Sequence, residues 1–175
     1  MSTTTQPRYQ TGAYFLQFAM RVYALPGMKD ACLALQDNLR LNVNCLLLAV
    51  WAARLGYEID AALWSKLQAH TAPIREAAVQ PIRALRRQIS RNEKLRDDLR
   101  APIKRLLLYA ELRAEQAEER ALHDRMRALA LPAAPGADLL HRNLAAYCDP
   151  NPALTQFATL VIESQLLEVS NCPSA

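Results

Sequence analysis

The segment FAMRVYALPGMKDACLALQDNLRLNVNCLLLAVW, residues 18–51, decides the fold of this chain. Its apolar residues first recur at helical spacing, and Pro26-Gly27 then predicts a turn. A second helix is expected over about residues 28–37, and Asn42 is suited to cap a third. Residues 43–53 of that third helix are almost all apolar. A helix that is apolar on nearly every side is a central helix, so the segment predicts a helical core.

The pattern continues as helices after this segment. Gly56 is placed to end the third helix, and Asp60 to cap a fourth. Thr71-Ala72-Pro73 predicts the start of another helix that reaches about Asn92 and is kinked or broken at Pro81. A long helix over about residues 93–130 follows, with a seam of mostly small residues at heptad spacing: Ile103, Leu107, Ala110, Ala114, Ala117 and Ala121. Residues 73–130 are therefore expected to form a long antiparallel hairpin.

The remaining sequence predicts a linker over 131–136, a helix capped by Asp138 and a last helix over 153–168. We therefore expect an all-α protein with one domain of seven or eight helices over residues 12–170. Flexible tails are expected at 1–11 and 171–175. Half of the chain is hydrophobic and only four residues are glycine, which agrees with a helical class.

The cysteines and the apolar runs bear on the compartment. None of the four cysteines belongs to a C-x-x-C pair, and residues 1–12 are polar and unlike a signal peptide. The longest apolar run, 45–53, is far shorter than the roughly 18 residues of a membrane span. A cytoplasmic protein without a transmembrane segment is expected.

Positive charge is concentrated in one region. The net charge is +4, but residues 75–105 contain ten basic residues against four acidic ones. On a helix, Arg83, Arg87 and Arg91 fall on one face, and Arg75 and Arg86 widen it. No Asp or Glu lies three or four residues from Arg83, Arg87 or Arg91, so their mutual repulsion is not relieved locally. The counter-charge is expected from another helix or from a partner.

Two kinds of partner fit this arginine face. An acidic protein would make the chain a non-enzymatic adaptor or regulator, which is the leading prediction. A nucleic acid backbone is the alternative, since guanidinium groups also bind phosphate. Sequence-specific readers usually add stacking aromatics or a helix-turn-helix, and the basic helix carries no aromatic residue. Nucleic acid binding would therefore be nonspecific and salt-dependent.

A third possibility is a small polar cleft in the opening segment. Amide and carboxylate side chains surround the connector between the second and third helices, close to a tryptophan: Gln36, Asp37, Asn42, Asn44 and Trp51. They could line a site for a small molecule or peptide, or an enzymatic site. The same residues could also simply cap helix ends and bind loop backbone.

Known catalytic and cofactor patterns are missing from the sequence. The nucleotide-binding and hydrolase motifs with clustered glycines do not occur. The three histidines lie in separate segments, and the adjacent Asp97 and Asp98 point about 100° apart on a helix. We therefore expect no enzymatic activity, no metal and no cofactor. Association of two copies through the small-residue seam is also possible.

The opening segment resembles the signature Y-x-x-P-G-x-x-x-A-C-L-x-L-Q-D … V-N-x-L-L of a proteobacterial family of small helical proteins, a domain of unknown function. The similarity extends through residues 81–87 and the Ala- and Glu-rich residues 110–119. It implies a cytoplasmic helical protein and supplies no activity or partner. Arg40 stands where a Gly is usual in the family, and Asn42 where an Asp is usual. Asn42 keeps the capping role but not a carboxylate, which favours a structural role.

Overall fold

The computed structural model describes residues 12–129, 131–134 and 136–168. The described residues form eight α-helices and a π-helical segment: α1 (Gly12–Tyr23), α2 (Met28–Leu39), α3 (Val43–Arg54), α4 (Ala61–Ile74), the π segment (Arg75–Val79), α5 (Gln80–Arg91), α6 (Asp97–Ala128), α7 (Leu139–Tyr147) and α8 (Pro152–Glu163). The predicted all-α class is confirmed. The tails predicted at 1–11 and 171–175 lie outside the described residues.

Helix α3 lies at the centre of the core, as its apolar sequence predicts. All residues from Asn44 to Ala52 are buried, and α1, α2, α6 and α7 pack around them. The predicted caps are present: the Asn42 side chain accepts a hydrogen bond from the Asn44 N–H, and Asp60 accepts one from the Leu63 N–H. Local capping chemistry therefore sets where α3 and α4 begin.

Two connectors in this region need left-handed backbone. Gly56, just after α3, has φ 77°, which glycine adopts without steric cost. Arg40, just after α2, has φ 55° and is a residue with a Cβ in the left-handed region. A glycine at this position would adopt the same conformation without the steric cost that the Cβ of Arg40 carries.

The predicted helix start at Thr71-Ala72-Pro73 is wrong. Helix α4 continues through Pro73 into the π segment and α5 without a break. The expected kink or break at Pro81 takes another form, because the Gln80 N–H bonds the Arg75 carbonyl five residues earlier. A wider turn just before a proline makes room for its ring, so the chain stays helical.

The predicted hairpin is formed by α5 and α6, which run antiparallel across a short turn at residues 92–96. Its interface differs from the expected alanine seam. Glu111, Glu118 and Leu122 are the buried residues of this side of α6, whereas Ala117 is exposed. Charged side chains therefore occupy much of the hairpin interface.

The last two helices close the core from the other side. Asn143 of α7 is fully buried, and its Oδ1 accepts a hydrogen bond of 2.8 Å from the Ile59 N–H. The prediction that the side chain of Asp138 caps α7 is wrong. Asp138 pairs instead with Arg142, one turn later. Within the described residues, none of the helices combines the length and apolar character that a bilayer crossing requires.

Candidate functional site

The arginines of α5 contact carboxylates of α6. Arg83 Nε donates to Glu111 Oε1 over 2.8 Å, and Arg86 contacts both oxygens of the same carboxylate. Arg83 also pairs with Glu115. Burial alone would raise the pKa of Glu111, but the hydrogen bonds from Arg86 and Arg83 outweigh it and lower the pKa. The counter-charge that the sequence left open therefore comes from another helix.

The other arginines of the predicted face lie in less buried surroundings. Arg87 pairs with Asp37 of α2 over 2.6 Å at a solvent-exposed position. Arg75 Nη1 lies 3.9 Å from a carboxylate oxygen of Glu118. Arg91 is exposed, and among the described residues it has no ion pair. Of the five predicted residues, Arg91 alone therefore keeps an uncompensated charge within the described chain.

The connector before α3 is held by a carboxylate that the sequence analysis did not single out. Glu118 is 1% exposed, and its two oxygens accept hydrogen bonds from the side-chain amides of Asn42 (2.7 Å) and Asn44 (2.8 Å). The hydroxyl of Tyr147 accepts from the Asn42 N–H. These bonds hold the start of α3 between α6 and α7.

Beside this connector lies a half-open cleft of about 340 Å³ between α1, α2, α3 and α6. Apolar side chains form most of its surface, and half of the polar lining residues are on α6. The lining residues are Ala19, Met20, Tyr23, Ala24, Gln36, Val43, Asn44, Leu47, Leu112, Glu115, Gln116 and Glu119. A concave, mainly apolar site with a few polar groups is the usual form of a small-molecule site.

The two carboxylates of the cleft are shifted toward the protonated form. Burial is the main cause for both, and it raises the pKa of Glu119 to about 7 with help from the charges of Glu115 and Glu118. Burial also raises the pKa of Glu115, despite its pairing with Arg83. The cleft therefore carries a carboxyl group that changes charge near neutral pH.

The structure brings together part of the predicted cleft set. Gln36 and Asn44 line the cleft, whereas Asn42 binds Glu118 and Asp37 faces Arg87. Trp51 is in the core and does not line the cleft, because the rings of Phe15 and Phe18 pack against it. Two of the five predicted residues thus line one cleft, and the tryptophan packs in the core.

The glutamates of α6 supply most of the acidic groups of the site, and the sequence analysis did not single them out. Glu111, Glu115 and Glu118 recur at intervals of four and three, so they share one helix face. This periodic acidic face is complementary in charge and in helical spacing to the arginine face of α5. That match was the available signal, and the alanine seam on a neighbouring face obscured it.

Metal binding has no support in the part of the chain that the structure describes. There, no three His, Cys, Asp or Glu side chains are grouped in a way that could hold a metal ion. Of the four carboxylates near the cleft, Glu111, Glu115 and Glu118 face arginine side chains. These groups are arranged for ion pairing with the protein itself.

Comparison with family models identifies residues 15–122 as a domain described as a protein of unknown function, DUF2390. The chain belongs to this family. All residues that line the cleft lie inside the matched DUF2390 region, whereas α7 and α8 lie beyond it. The searches of curated proteins and of solved structures returned no match.

Proposed function

We propose that this DUF2390 protein binds a small organic ligand in the cleft between α1, α2, α3 and α6. The observation that carries the proposal is the cleft itself, an apolar concavity with a carboxyl group that titrates near pH 7. Its volume falls in the range of small-ligand sites. The hydrogen bonds of Glu118 to Asn42 and Asn44 support it further, because they fix one wall before any ligand arrives.

A fragment screen monitored by backbone amide NMR shifts tests this function. Fragments that bind should move the amide signals of cleft residues such as Tyr23, Gln36 and Leu47. A screen in which no fragment shifts these signals would contradict the proposal.

Two variants on α6 make the test specific. Gln116→Trp places a large ring in the cleft and should weaken fragment binding at least tenfold. Ala117→Trp is the matched control, because Ala117 is the next residue in the chain but is exposed and does not line the cleft. Equal fragment affinity in the two variants would count against the cleft as the binding site.

Docking of an acidic protein is a second candidate, favoured by the outward surface of the hairpin. Leu106 and Tyr109 are 70% and 65% exposed on α6. Arg105 is exposed next to Leu106 in the chain, and Arg91 is exposed at the end of α5. Exposed apolar residues among cations fit an acidic amphipathic segment. Arg83 and Arg86 contribute less, since their charges are already paired.

Poly-L-glutamate and a random-sequence RNA serve as probes for this second function, at low and at high salt. The double variant Arg91→Glu/Arg105→Glu should lose at least tenfold in affinity for poly-L-glutamate. Arg21→Glu/Lys29→Glu, on α1 and α2, is the control with the same change in charge. Stronger binding of RNA would support the nucleic-acid alternative, and binding of neither probe would reject both.

We place this function in the cytoplasm and keep self-association of the chain as a proposal. Cys32 and Cys45 are free thiols, and burial raises the pKa of each to about 12. Unreactive buried thiols suit a reducing compartment. Light scattering at several protein concentrations measures the oligomeric state directly.

A further inference from the structure

The charged groups that line the cleft are all carboxylates. Glu115 and Glu119 are both on α6, and no arginine or lysine is among the described residues that line the cavity. The amide nitrogen of Asn44, which could otherwise bind an anion, already donates to Glu118 and to the Glu115 carbonyl. An anionic ligand would therefore meet the ionised Glu119, which pairs with no cation among the described residues.

The surroundings leave one of these carboxylates without a partner. Three arginines approach this side of α6, and each pairs with Glu111, Glu115 or Glu118: they are Arg75, Arg83 and Arg86. Glu119 makes no hydrogen bond or ion pair with any of the described residues. The charge of Arg120 favours the ionised form of Glu119 and offsets the burial only in part.

Apolar side chains form much of the remaining cleft lining. Met20 of α1 is 69% exposed and Leu112 of α6 is 47% exposed at the rim, while Leu47 of α3 is buried at the base. An apolar group that entered here would remove these side chains from water. One ligand could thus use an apolar body and a charged end at once.

We propose that the cleft binds an organic amine, with the ammonium group at Glu119 and Glu115 and the apolar part against Met20, Leu47 and Leu112. The inference rests on the proposed ligand-binding function and specifies the ligand class. A cation at Glu119 supplies the ion pair that none of the described side chains makes with it. Burial of the pair inside the half-open cleft strengthens the attraction relative to a surface pair.

Binding of an amine should depend on pH. Glu119 must be ionised to attract an ammonium group, and its pKa of about 7 leaves it mostly protonated at pH 6. Glu115 and Glu118 disfavour its ionised form, whereas Arg120 favours it; Tyr23, on α1, is the other titratable group that lines the cleft. Affinity should therefore rise between pH 6 and pH 8, where an alkylamine with a pKa of about 10 stays charged.

Hexylamine, 1-hexanol and hexanoate, which share one chain length, are the probes for an NMR titration at pH 8. Hexylamine should shift the cleft amides with at least tenfold higher affinity than hexanoate and with higher affinity than hexanol. Equal binding of hexylamine and hexanol would overturn the amine inference but leave the ligand-binding function standing. Hexanoate binding as tightly as the amine would also overturn it, and no binding by any probe would count against both.

Glu119→Gln keeps the shape of the side chain and removes its charge. It should reduce hexylamine affinity about tenfold at pH 8, leave hexanol unchanged and abolish the dependence on pH. Glu163→Gln, at an exposed position of α8 outside the cleft, is the matched control. Unchanged hexylamine affinity in Glu119→Gln would overturn the proposal.

Discussion

Two glutamates on different sides of α6 have pKa values shifted in opposite directions. Toward α5, the carboxylate of Glu111 is 4% exposed and accepts hydrogen bonds from two arginines, which keep it ionised. Toward the cleft, about two turns later, Glu119 has no such donor, and its pKa is raised to about 7. Burial alone does not decide the state of a carboxyl group. The donors of the facing helix decide whether burial yields a structural ion pair or a group that can change charge.

The largest expected effect comes from the carboxylate between these two sides. Glu118→Ala leaves the buried amides of Asn42 and Asn44 without their acceptor, and Arg75 without its nearby charge. The free energy of unfolding should fall by about 3 kcal/mol, measured by urea denaturation. Asp98→Ala, at an exposed ion pair of the same helix, is the control and should cost less than about 0.5 kcal/mol. Equal losses would show that Glu118 does not hold the connector.

Glu111→Gln tests the ion-paired side. The folded pKa of Glu111 is lowered, so the ionised group stabilises the fold above its unfolded pKa of about 4.3. This contribution disappears as the pH falls through the lower folded value. The variant should lose about 2 kcal/mol at pH 7 and show a smaller loss of stability in acid than the parent chain. A parallel pH profile for both proteins would contradict the assignment.

Glu119→Gln should have the opposite sign. The folded pKa of Glu119 is raised, so ionising it costs folding energy, and stability falls as the pH rises from about 4.3 through 7. The variant removes that cost and should be more stable than the parent chain by on the order of 2 kcal/mol at pH 8, with no difference near pH 4. Thermal unfolding at several pH values measures this. A destabilised variant at pH 8 would break the contrast with Glu111.

Arg87→Ala should have the smallest effect, and it compares an exposed ion pair with the buried pairs of Glu111. Its pair with Asp37 has nearly half of each side chain exposed, so water and salt screen the attraction. The free energy of unfolding should change by less than about 0.5 kcal/mol, and less still at high salt. A loss as large as that of Glu111→Gln would mean that exposure does not separate the two kinds of pair.

Local chemistry made most of the helices predictable. The caps at Asn42 and Asp60 and the helix end at Gly56 depend on a few neighbouring residues, and the structure has them as predicted. The predicted helix start at Pro73 also depended on a few neighbouring residues, but it was wrong, because α4 continues through this proline. A proline favours the first turn of a helix, yet it also fits inside one when tertiary contacts hold the helix together.

The candidate site was predictable only in part, because it depends on which helix faces which. The sequence indicated that Arg83 and Arg87 need counter-charges, but both another helix and a partner were able to supply them. Likewise, Gln36 and Asn44 were singled out as polar residues near a helix start, while Glu119 looked like an ordinary surface residue. Only the packing of α1 and α3 against α6 encloses that residue.

The π segment before Pro81 keeps the side chains before and after it on nearly the same face of the helix. At about 100° per residue, an uninterrupted α-helix would rotate Arg83 about 120° away from the buried Thr71. One additional residue in the wide turn takes back about 100° of that rotation. Thr71, Arg75 and Arg83 therefore lie on nearly the same face of the helix. Arg75 lies near Glu118 of α6, and Arg83 pairs with Glu111 of α6. A local irregularity in the helix thus supplies the alignment on which the long-range charge pairing depends.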